Sequence, residues 1–325
     1  MSPLLEVQDL TVTFDVEGKP PVEAVRGVSF TLDTGERLGL VGESGCGKST
    51  TLFALMGLLP PNATVGGRIL LDGEDILAKG EETMRPHRWT DLAMVFQGAM
   101  NAFNPVKTIG SQIVEAMEVH GRAEGKAAKA RAKELLELVG IPGDRSGRYP
   151  HEFSGGMRQR AALAMALANQ PRILLADEPT TALDVMVQAQ ILELLEDLTR
   201  DLGLTLVLVT HDLPLVTETC ERAAIMYAGE IVEEGSTSVL YAEPRHPYTR
   251  LLFAAMPELS LDVAVASIPG VPPRLDRAIV GCPFAPRCDM VMDTCRTTAP
   301  PLEPVGDRHV ASCHLNRSTA DAAPV

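Results

Sequence analysis

Residues 42–49 read GESGCGKS and match the pattern G-x-x-x-x-G-K-[ST] in full. The residues before them, Arg37–Val41, form a short apolar run typical of a buried strand, and Lys48–Gly57 has the pattern of a helix. A glycine-rich turn between a strand and a helix N-terminus can wrap its N–H groups around a phosphate. The stretch therefore predicts a phosphate-binding loop, with Lys48 near the β and γ phosphates of a nucleotide and the Ser49 hydroxyl on Mg²⁺.

A second element supports this interpretation. Residues 172–178 read RILLADE, which indicates a buried strand that ends in Asp177 and Glu178. A carboxylate at such a strand end can hold Mg²⁺ opposite the loop, and its neighbour can orient or deprotonate a water that attacks the γ phosphate. Alone, the loop could be an ordinary glycine turn and the carboxylates a solvated strand end. Together they favour hydrolysis of a bound nucleotide.

Strands alternate with helices over much of the chain. Leu5–Phe14 has the period-two pattern of a strand, and Thr205–Val209 is a strand-sized apolar run. Between them, Ala123–Val139, Ser154–Ala168 and Asp184–Arg200 have helical spacing. Strands that alternate with helices predict an α/β fold with a parallel sheet covered on both faces.

Composition restricts the classes of function. The chain has 325 residues, and 29 Lys and Arg against 43 Asp and Glu give a net charge of −14, which argues against nucleic acid as the main partner. No apolar run approaches the roughly 20 residues of a membrane span, and the N-terminus lacks the features of a secretory signal. We therefore expect a cytosolic protein.

Residues 153–160, FSGGMRQR, resemble the LSGGQ signature of ATP-binding cassette (ABC) ATPases, with Phe153 and Met157 as departures. Other motifs of that family follow its order: the Q-loop as VFQ at 95–97, the D-loop as ALD at 182–184 and the switch histidine in THD at 210–212. The resemblance covers about residues 4–235. It implies an α/β P-loop NTPase fold of the ABC type, with a RecA-like parallel-sheet core, a helical subdomain at about 91–167 and an N-terminal antiparallel β part.

The resemblance also implies a set of site residues. Glu178 is expected to act on the attacking water, His211 to contact the γ phosphate, and Gln97 to reach the Mg²⁺ or the water. Mg²⁺ is expected on Ser49, Gln97 and Asp177. The residues expected to contact ATP come from the adenine-stacking position, the phosphate loop, the signature and the D-loop: Phe14, Gly42, Ser44, Gly45, Cys46, Gly47, Lys48, Ser49, Thr50, Ser154, Gly155, Gly156 and Asp184. In this family the signature residues complete the site of a second cassette, arranged head to tail, with the D-loop aspartate at the boundary.

Three stretches after residue 235 resemble the C-terminal extension of dipeptide and oligopeptide importers: PRHPYT at 244–249, IPG at 268–270 and GCPFAPRC at 281–288. The Q-loop region QGAMNAFNP, residues 97–105, is also similar to that family. We therefore expect an ABC nucleotide-binding domain at 1–235 and a peptide-importer extension at 236–325.

The resemblance is closest to the D-type ATP-binding subunit, and it implies partners. These are two transmembrane permease subunits, a second ATPase subunit that is identical or related, and, indirectly, an extracytoplasmic peptide-binding protein. The expected location is then the cytoplasmic face of the membrane, as a peripheral protein. A nickel chelate or another solute in place of peptides stays open. A soluble ABC ATPase without a transport role is disfavoured by the single cassette and the acidic charge.

Four of the six cysteines lie in the extension, with the spacing C-x₅-C-x₆-C-x₁₇-C: Cys282, Cys288, Cys295 and Cys313. Because a cytosolic chain seldom uses cysteine for disulfides, this cluster predicts a metal site. The resemblance implies a 4Fe–4S cluster, which some family members carry. Structural Zn²⁺ is the alternative, although its ligands usually come in closer pairs. Reduced cysteines without a metal are a third interpretation.

Overall fold

The computed structural model describes residues 2–98, 102–181, 183–211, 213–255 and 268–319. Its strands are β1 (Leu5–Phe14), β2 (Val22–Leu32), β3 (Arg37–Val41), β4 (Ala63–Leu71), β5 (Glu74–Asp75), β6 (Leu92–Val95), β7 (Ile173–Asp177), β8 (Thr205–Thr210), β9 (Arg222–Tyr227), β10 (Glu230–Ser236), β11 (Glu303–Gly306) and β12 (His309–Ala311). Its helices are α1 (Lys48–Leu55), α2 (Glu81–Met84), α3 (Ile109–Val119), α4 (Gly125–Leu138), α5 (Gly155–Ala166), α6 (Val185–Leu202), α7 (Leu213–Thr219), α8 (Thr237–Ala242), α9 (Pro247–Ala254) and α10 (Asp293–Thr297).

The chain divides into two compact units, the first of which comprises Met1–Leu32, Arg37–Asp75 and Thr210–Val325. One sheet of this unit is antiparallel, in the order β2-β1-β4-β5. A second set of strands follows the order β11-β12-β10-β9-β3, in which only β9 and β3 run parallel. The phosphate loop connects β3 to α1, as the sequence predicts.

The second unit comprises Asp33–Glu36 and Ile76–Val209. Its strands β6, β7 and β8 are parallel neighbours, and their side chains are buried throughout, which explains why their sequences are almost wholly apolar. Because parallel neighbours end at the same edge of a sheet, the residues after β6 and β7 come together. Those residues include Gln97 and Glu178, two of the predicted catalytic residues.

The predicted elements are found with small shifts at their ends, and the α/β fold is confirmed. The extension adds strands to the sheet of the first unit and is not a separate appendage. Its strand β12 pairs antiparallel with β10, and β11 pairs antiparallel with β12. The boundary at residue 235 and the helical subdomain at 91–167 stay predictions.

Parts of three predicted motifs, residues 99–101, Ala182 and Asp212, lie outside the described residues. Within the described ranges, none of the helices is both long enough and apolar enough to cross a bilayer.

Candidate functional site

The phosphate loop is folded around the Lys48 side chain, which is buried. The Lys48 Nζ donates hydrogen bonds to the carbonyl oxygens of Gly42, at 2.7 Å, and of Glu43, at 3.0 Å. Gly47 adopts φ +108°, and a Cβ there would lie 2.5 Å from the carbonyl oxygen of Ala24, so no larger residue fits. No side chain caps the N-terminus of α1, an arrangement that suits a phosphate as the partner of that helix end.

The other predicted residues of the loop take positions that fit contact with a phosphate. Ser44 and Gly45 are exposed at the turn, Ser49 and Thr50 are half-buried in the first turn of α1, and Cys46 is buried. Burial raises the pKa of the Cys46 thiol, so this cysteine stays neutral. Phe14, predicted to stack on adenine, is the half-buried last residue of β1.

Gln97 and Glu178 meet at the carboxyl edge of the parallel strands in the second unit. The Gln97 Nε2 donates to the Glu178 Oε2 at 2.7 Å, and the Thr181 Oγ1 donates to the same oxygen at 2.9 Å. Glu178 adopts φ +43°, a region that non-glycine residues seldom occupy and that is enriched at functional sites. Asp177, the last residue of β7, is almost completely buried. The sequence predicts Gln97 and Glu178 separately; Thr181 was missed.

Ser154 and Asp184 both stand at helix N-termini. The Ser154 Oγ accepts from the Met157 N–H at 3.3 Å, and the Asp184 Oδ1 accepts from the Val187 N–H at 3.0 Å. Both residues therefore act as helix N-caps within this chain, a role that is separate from the expected contact with a nucleotide. A Cβ on Gly156 would lie 2.6 Å from the Val187 Cγ1, so a larger residue would have to displace Val187 where the starts of α5 and α6 pack together.

His211 directly follows β8 and is exposed. The ordinary explanation for a lone histidine, a satisfied position in the core, therefore does not apply to it.

Comparisons with known proteins identify the family of this chain. The family model described as "ABC transporter" matches residues 25–181, and the one described as "Oligopeptide/dipeptide transporter, C-terminal region" matches residues 232–295. The dipeptide transport ATP-binding protein DppD of Bacillus subtilis is 45% identical over 99% of this chain and 98% of its own length. The chain belongs to the ABC transporter ATPase family.

Two further similarities fit this assignment. The oligopeptide transport ATP-binding protein OppD of Mycobacterium tuberculosis is 48% identical over 96% of this ABC ATPase, which spans about half, 52%, of that relative's length. A solved ATP-binding cassette in a dimeric, post-hydrolysis state bound to ADP and Pi is similar to 72% of the chain, with a TM-score of 0.64 and 29% identity.

The four cysteines of the extension line one small cavity of this ABC ATPase, together with His246, Phe284 and His314. All four are free thiols. Burial raises the pKa of Cys282 to about 11, and it also raises the pKa values of Cys288 and Cys313. Within the part of the chain that the structure describes, no group of three or more His, Cys, Asp or Glu side chains is arranged to hold a metal ion. The predicted 4Fe–4S cluster therefore has no direct support; what the structure shows is four thiols around one cavity.

The extension also contacts the phosphate loop, in the same unit of the ABC ATPase. Arg287 donates two hydrogen bonds to the Glu43 carboxylate, at 2.6 and 2.9 Å, and the Glu43 N–H donates to the Tyr248 Oη at 3.0 Å. Sequence reasoning missed this contact because Glu43 occupies a variable position of the loop motif. Arg287 lies in CPFAPRC and Tyr248 in PRHPYT. The sequence identified these two segments only by their resemblance to the extension of dipeptide and oligopeptide importers.

Proposed function

We propose that this chain is the ATP-hydrolysing subunit that powers import of dipeptides or oligopeptides through separate transmembrane permease subunits. The observation that carries the proposal is the match of residues 232–295 to the C-terminal region of oligopeptide/dipeptide transporters, in a chain whose remainder matches ABC transporters. The relatives named for dipeptide and oligopeptide transport are similar over nearly the whole chain, including this region.

In the proposed ATP site, the loop from Gly42 to Ser49 holds the phosphates through its N–H groups, with the Lys48 ammonium on the β and γ phosphates. Phe14 stacks on the adenine, and Thr50 adds a contact at the start of α1. These roles accord with the folding of the loop around Lys48 and with the uncapped N-terminus of α1.

The donors proposed for Mg²⁺ are the Ser49 hydroxyl, the Gln97 amide oxygen and the Asp177 carboxylate. These are hard oxygen ligands, and Mg²⁺ usually takes only one or two carboxylates and completes its shell with phosphates and water. The donor set therefore fits Mg²⁺ although it contains a single carboxylate. The bound cation would neutralise charge on the β and γ phosphates.

Glu178 is the proposed residue that orients and deprotonates the attacking water, and His211 the residue that contacts the γ phosphate. The hydrogen bonds from Gln97 and Thr181 hold the Glu178 carboxylate in one orientation at the edge of the sheet, as a residue that acts on a water requires. Gln97 thereby links the proposed base to the Q-loop, and a change at Gln97 on contact with another subunit would alter the position of Glu178.

A second ATPase subunit, identical or related, is the proposed partner at the signature and the D-loop. Ser154, Gly155, Gly156 and Asp184 would face its nucleotide. Two exposed apolar residues, Val185 and Met186, directly follow Asp184, and apolar side chains grouped at a surface suit a protein interface. The similar cassette solved with ADP and Pi is described as dimeric.

The remaining proposed partners are two permease subunits and, indirectly, an extracytoplasmic peptide-binding protein, which places this chain on the cytoplasmic face of the membrane as a peripheral subunit. The test is co-expression with permease subunits of a peptide importer, followed by membrane fractionation and ATP-driven uptake of a labelled dipeptide into vesicles. Retention on membranes only with the permease, and ATP-dependent dipeptide uptake, support the proposal. Uptake of a nickel chelate but not of peptides would contradict the substrate, and membrane retention without any permease would contradict the assembly.

We also propose that the four cysteines bind a metal centre that braces the extension. Sulfur donors that share one cavity suit iron–sulfur clusters and Zn²⁺, and a bound cation would favour the thiolate forms that burial disfavours. The free volume of the cavity, about 10 Å³, is close to one water-sized volume, so a single ion fits with less displacement of its walls than a 4Fe–4S cluster.

Metal and acid-labile sulfide analysis after anaerobic purification separates the two centres. A brown protein with broad absorbance near 400 nm and sulfide supports the cluster, and a colourless protein with stoichiometric zinc supports the single ion. Cys295→Ser should lower the metal content sharply, whereas Cys220→Ser, which changes a buried cysteine that does not line the cavity, should not. A parent protein without metal would contradict the proposal.

A further inference from the structure

Glu43 is attached at three points, and two of the attachments come from the extension. Its carboxylate accepts two hydrogen bonds from the Arg287 guanidinium, and its N–H donates to the Tyr248 Oη. Its own carbonyl oxygen accepts from the Lys48 Nζ. A single residue of the phosphate loop therefore connects the extension to the lysine that is proposed to bind ATP.

Arg287 is itself fixed in place. Its side chain is only 3% exposed, compared with 25% for Glu43. Its Nε donates to the carbonyl oxygen of Pro269 at 2.8 Å, and one terminal nitrogen also donates to the Tyr227 Oη at 3.2 Å. A planar guanidinium that is itself held by several partners donates two parallel hydrogen bonds to a carboxylate and so fixes both its position and its orientation. A flexible ion pair at the surface does not fix either.

We propose that Arg287 is a positioning residue for nucleotide binding, and that it acts through Glu43. By fixing the Glu43 side chain, Arg287 fixes the adjacent carbonyl that orients the Lys48 ammonium. It also neutralises a carboxylate that stands in a loop which must accept a polyanion. The inference rests on the proposed function, because it assumes that the loop binds ATP.

Loss of Arg287 has a specific expected result. The Glu43 carboxylate, released from its partner, can move within the loop and adds negative charge near the phosphates, so ATP binding weakens. Gln97 and the proposed base Glu178 belong to the other unit and keep the hydrogen bond between them. Affinity for ATP should therefore fall while turnover at saturating ATP stays nearly constant.

The experiment measures Kd for a fluorescent ATP analogue and KM and kcat for ATP on the full chain. Arg287→Ala should raise Kd and KM about tenfold, within the range of coupled charged pairs, with kcat changed less than about twofold. Arg287→Lys, which keeps the charge without the fork, should lie between the parent and Arg287→Ala. The matched control is Arg250→Ala, which breaks the exposed pair of Arg250 with Asp289 in the same extension and should leave Kd within about twofold of the parent.

A double-variant cycle tests the route through Glu43. If Arg287 acts through that carboxylate, the double variant should bind ATP about as well as Glu43→Ala, because Arg287 has no effect once Glu43 is absent. Glu43→Ala alone should weaken binding less than Arg287→Ala does, because it removes the negative charge together with the contact that positions the loop. If Arg287→Ala unfolds the chain, Glu43→Gln still tests the inference, because it leaves the bonds of Arg287 to Pro269 and Tyr227 in place and should also raise Kd.

The outcomes are distinct. A parent protein that binds no ATP overturns the proposed function and this inference with it. A parent that binds ATP, with an unchanged Kd in Arg287→Ala and Glu43→Gln, overturns this inference alone. Losses that multiply in the double variant show that Arg287 and Glu43 act independently, and a fall in kcat at constant KM shows a loss of active protein; either result also overturns it.

Discussion

Replacement of Glu178 by glutamine tests the proposed chemistry most directly. The two side chains have the same shape, and the amide oxygen of a glutamine can still accept from the Gln97 Nε2 and the Thr181 Oγ1, now at 2.7 and 2.9 Å from Glu178. The geometry of the site should therefore survive, and ATP affinity should stay within about threefold of the parent. Hydrolysis should fall by about 10²- to 10⁴-fold, the usual contribution of a general base.

A smaller change at the same site should give a graded effect. Thr181→Val removes one of the two hydrogen bonds that fix the carboxylate but leaves the base itself, so the rate should fall by about tenfold, in line with one hydrogen bond to a charged group.

The assay is phosphate release at saturating ATP, alongside the Kd for a fluorescent ATP analogue and gel filtration with ATP and Mg²⁺. Glu178→Gln should accumulate as an ATP-bound dimer with its partner ATPase subunit, because binding continues and hydrolysis does not. Glu193→Gln makes the same chemical change at an exposed position of α6 and should behave like the parent. Hydrolysis by Glu178→Gln at the parental rate would refute the assignment of the base, and loss of ATP binding would refute the argument from shape.

Three further predictions concern the fold around the site. Glu233 is a fully buried carboxylate that accepts hydrogen bonds from the Arg245 and His246 N–H groups and contacts the His309 Nε2, so Glu233→Gln should lower the free energy of unfolding, measured in urea, by about 3 kcal/mol. Glu243→Gln makes the same change at an exposed position and should alter that free energy by less than about 0.5 kcal/mol; equal urea midpoints for the two variants would contradict this prediction. Gly47→Ala should abolish ATP binding, measured as fluorescent-analogue affinity, because the added Cβ meets a backbone carbonyl at 2.5 Å; normal affinity would be inconsistent with the loop as described. Burial and two nearby arginines lower the pKa of His120 in the folded chain, so the unfolded chain takes up the proton first and the free energy of unfolding falls as pH drops below about 6.5. In urea titrations, His120→Gln should lose less of this free energy than the parent between about pH 7.5 and 5.5, and an equal loss would contradict a role of His120 in the pH dependence of stability.

The sequence predicts most of the fold and the site because both depend on local patterns. The strand, glycine loop and helix at residues 37–55 are contiguous, and their periodicity alone identifies them. Gln97 and Glu178 come together because they follow neighbouring parallel strands, and strand order in the sheet determines their proximity. Sequence can suggest this order through a family resemblance.

The contacts of the extension could not be predicted in the same way. The pair of Arg287 with Glu43 joins residues that are distant in the chain. Glu43 fills a variable position of the loop motif, and the resemblance of GCPFAPRC to an importer extension does not indicate a partner for Arg287. Likewise, Glu233 gives no signal of its burial, because an acidic residue in a strand is usually exposed to solvent. Such contacts depend on how the extension packs against the phosphate loop and β10, and the periodicity of the sequence carries no information about that packing.

The pairing of β12 with β10 bears on how this protein can be cut and recombined. A truncation after residue 235 would remove β12 from its place beside β10 and leave β10 as an exposed edge strand, which is a template for aggregation. It would also leave Glu43 and Glu233 without the partners that the extension provides. A chimera that exchanges extensions between related transporters should therefore keep, in the incoming extension, hydrogen-bond partners for these two acidic residues. This requirement can be checked in any candidate sequence before a gene is built.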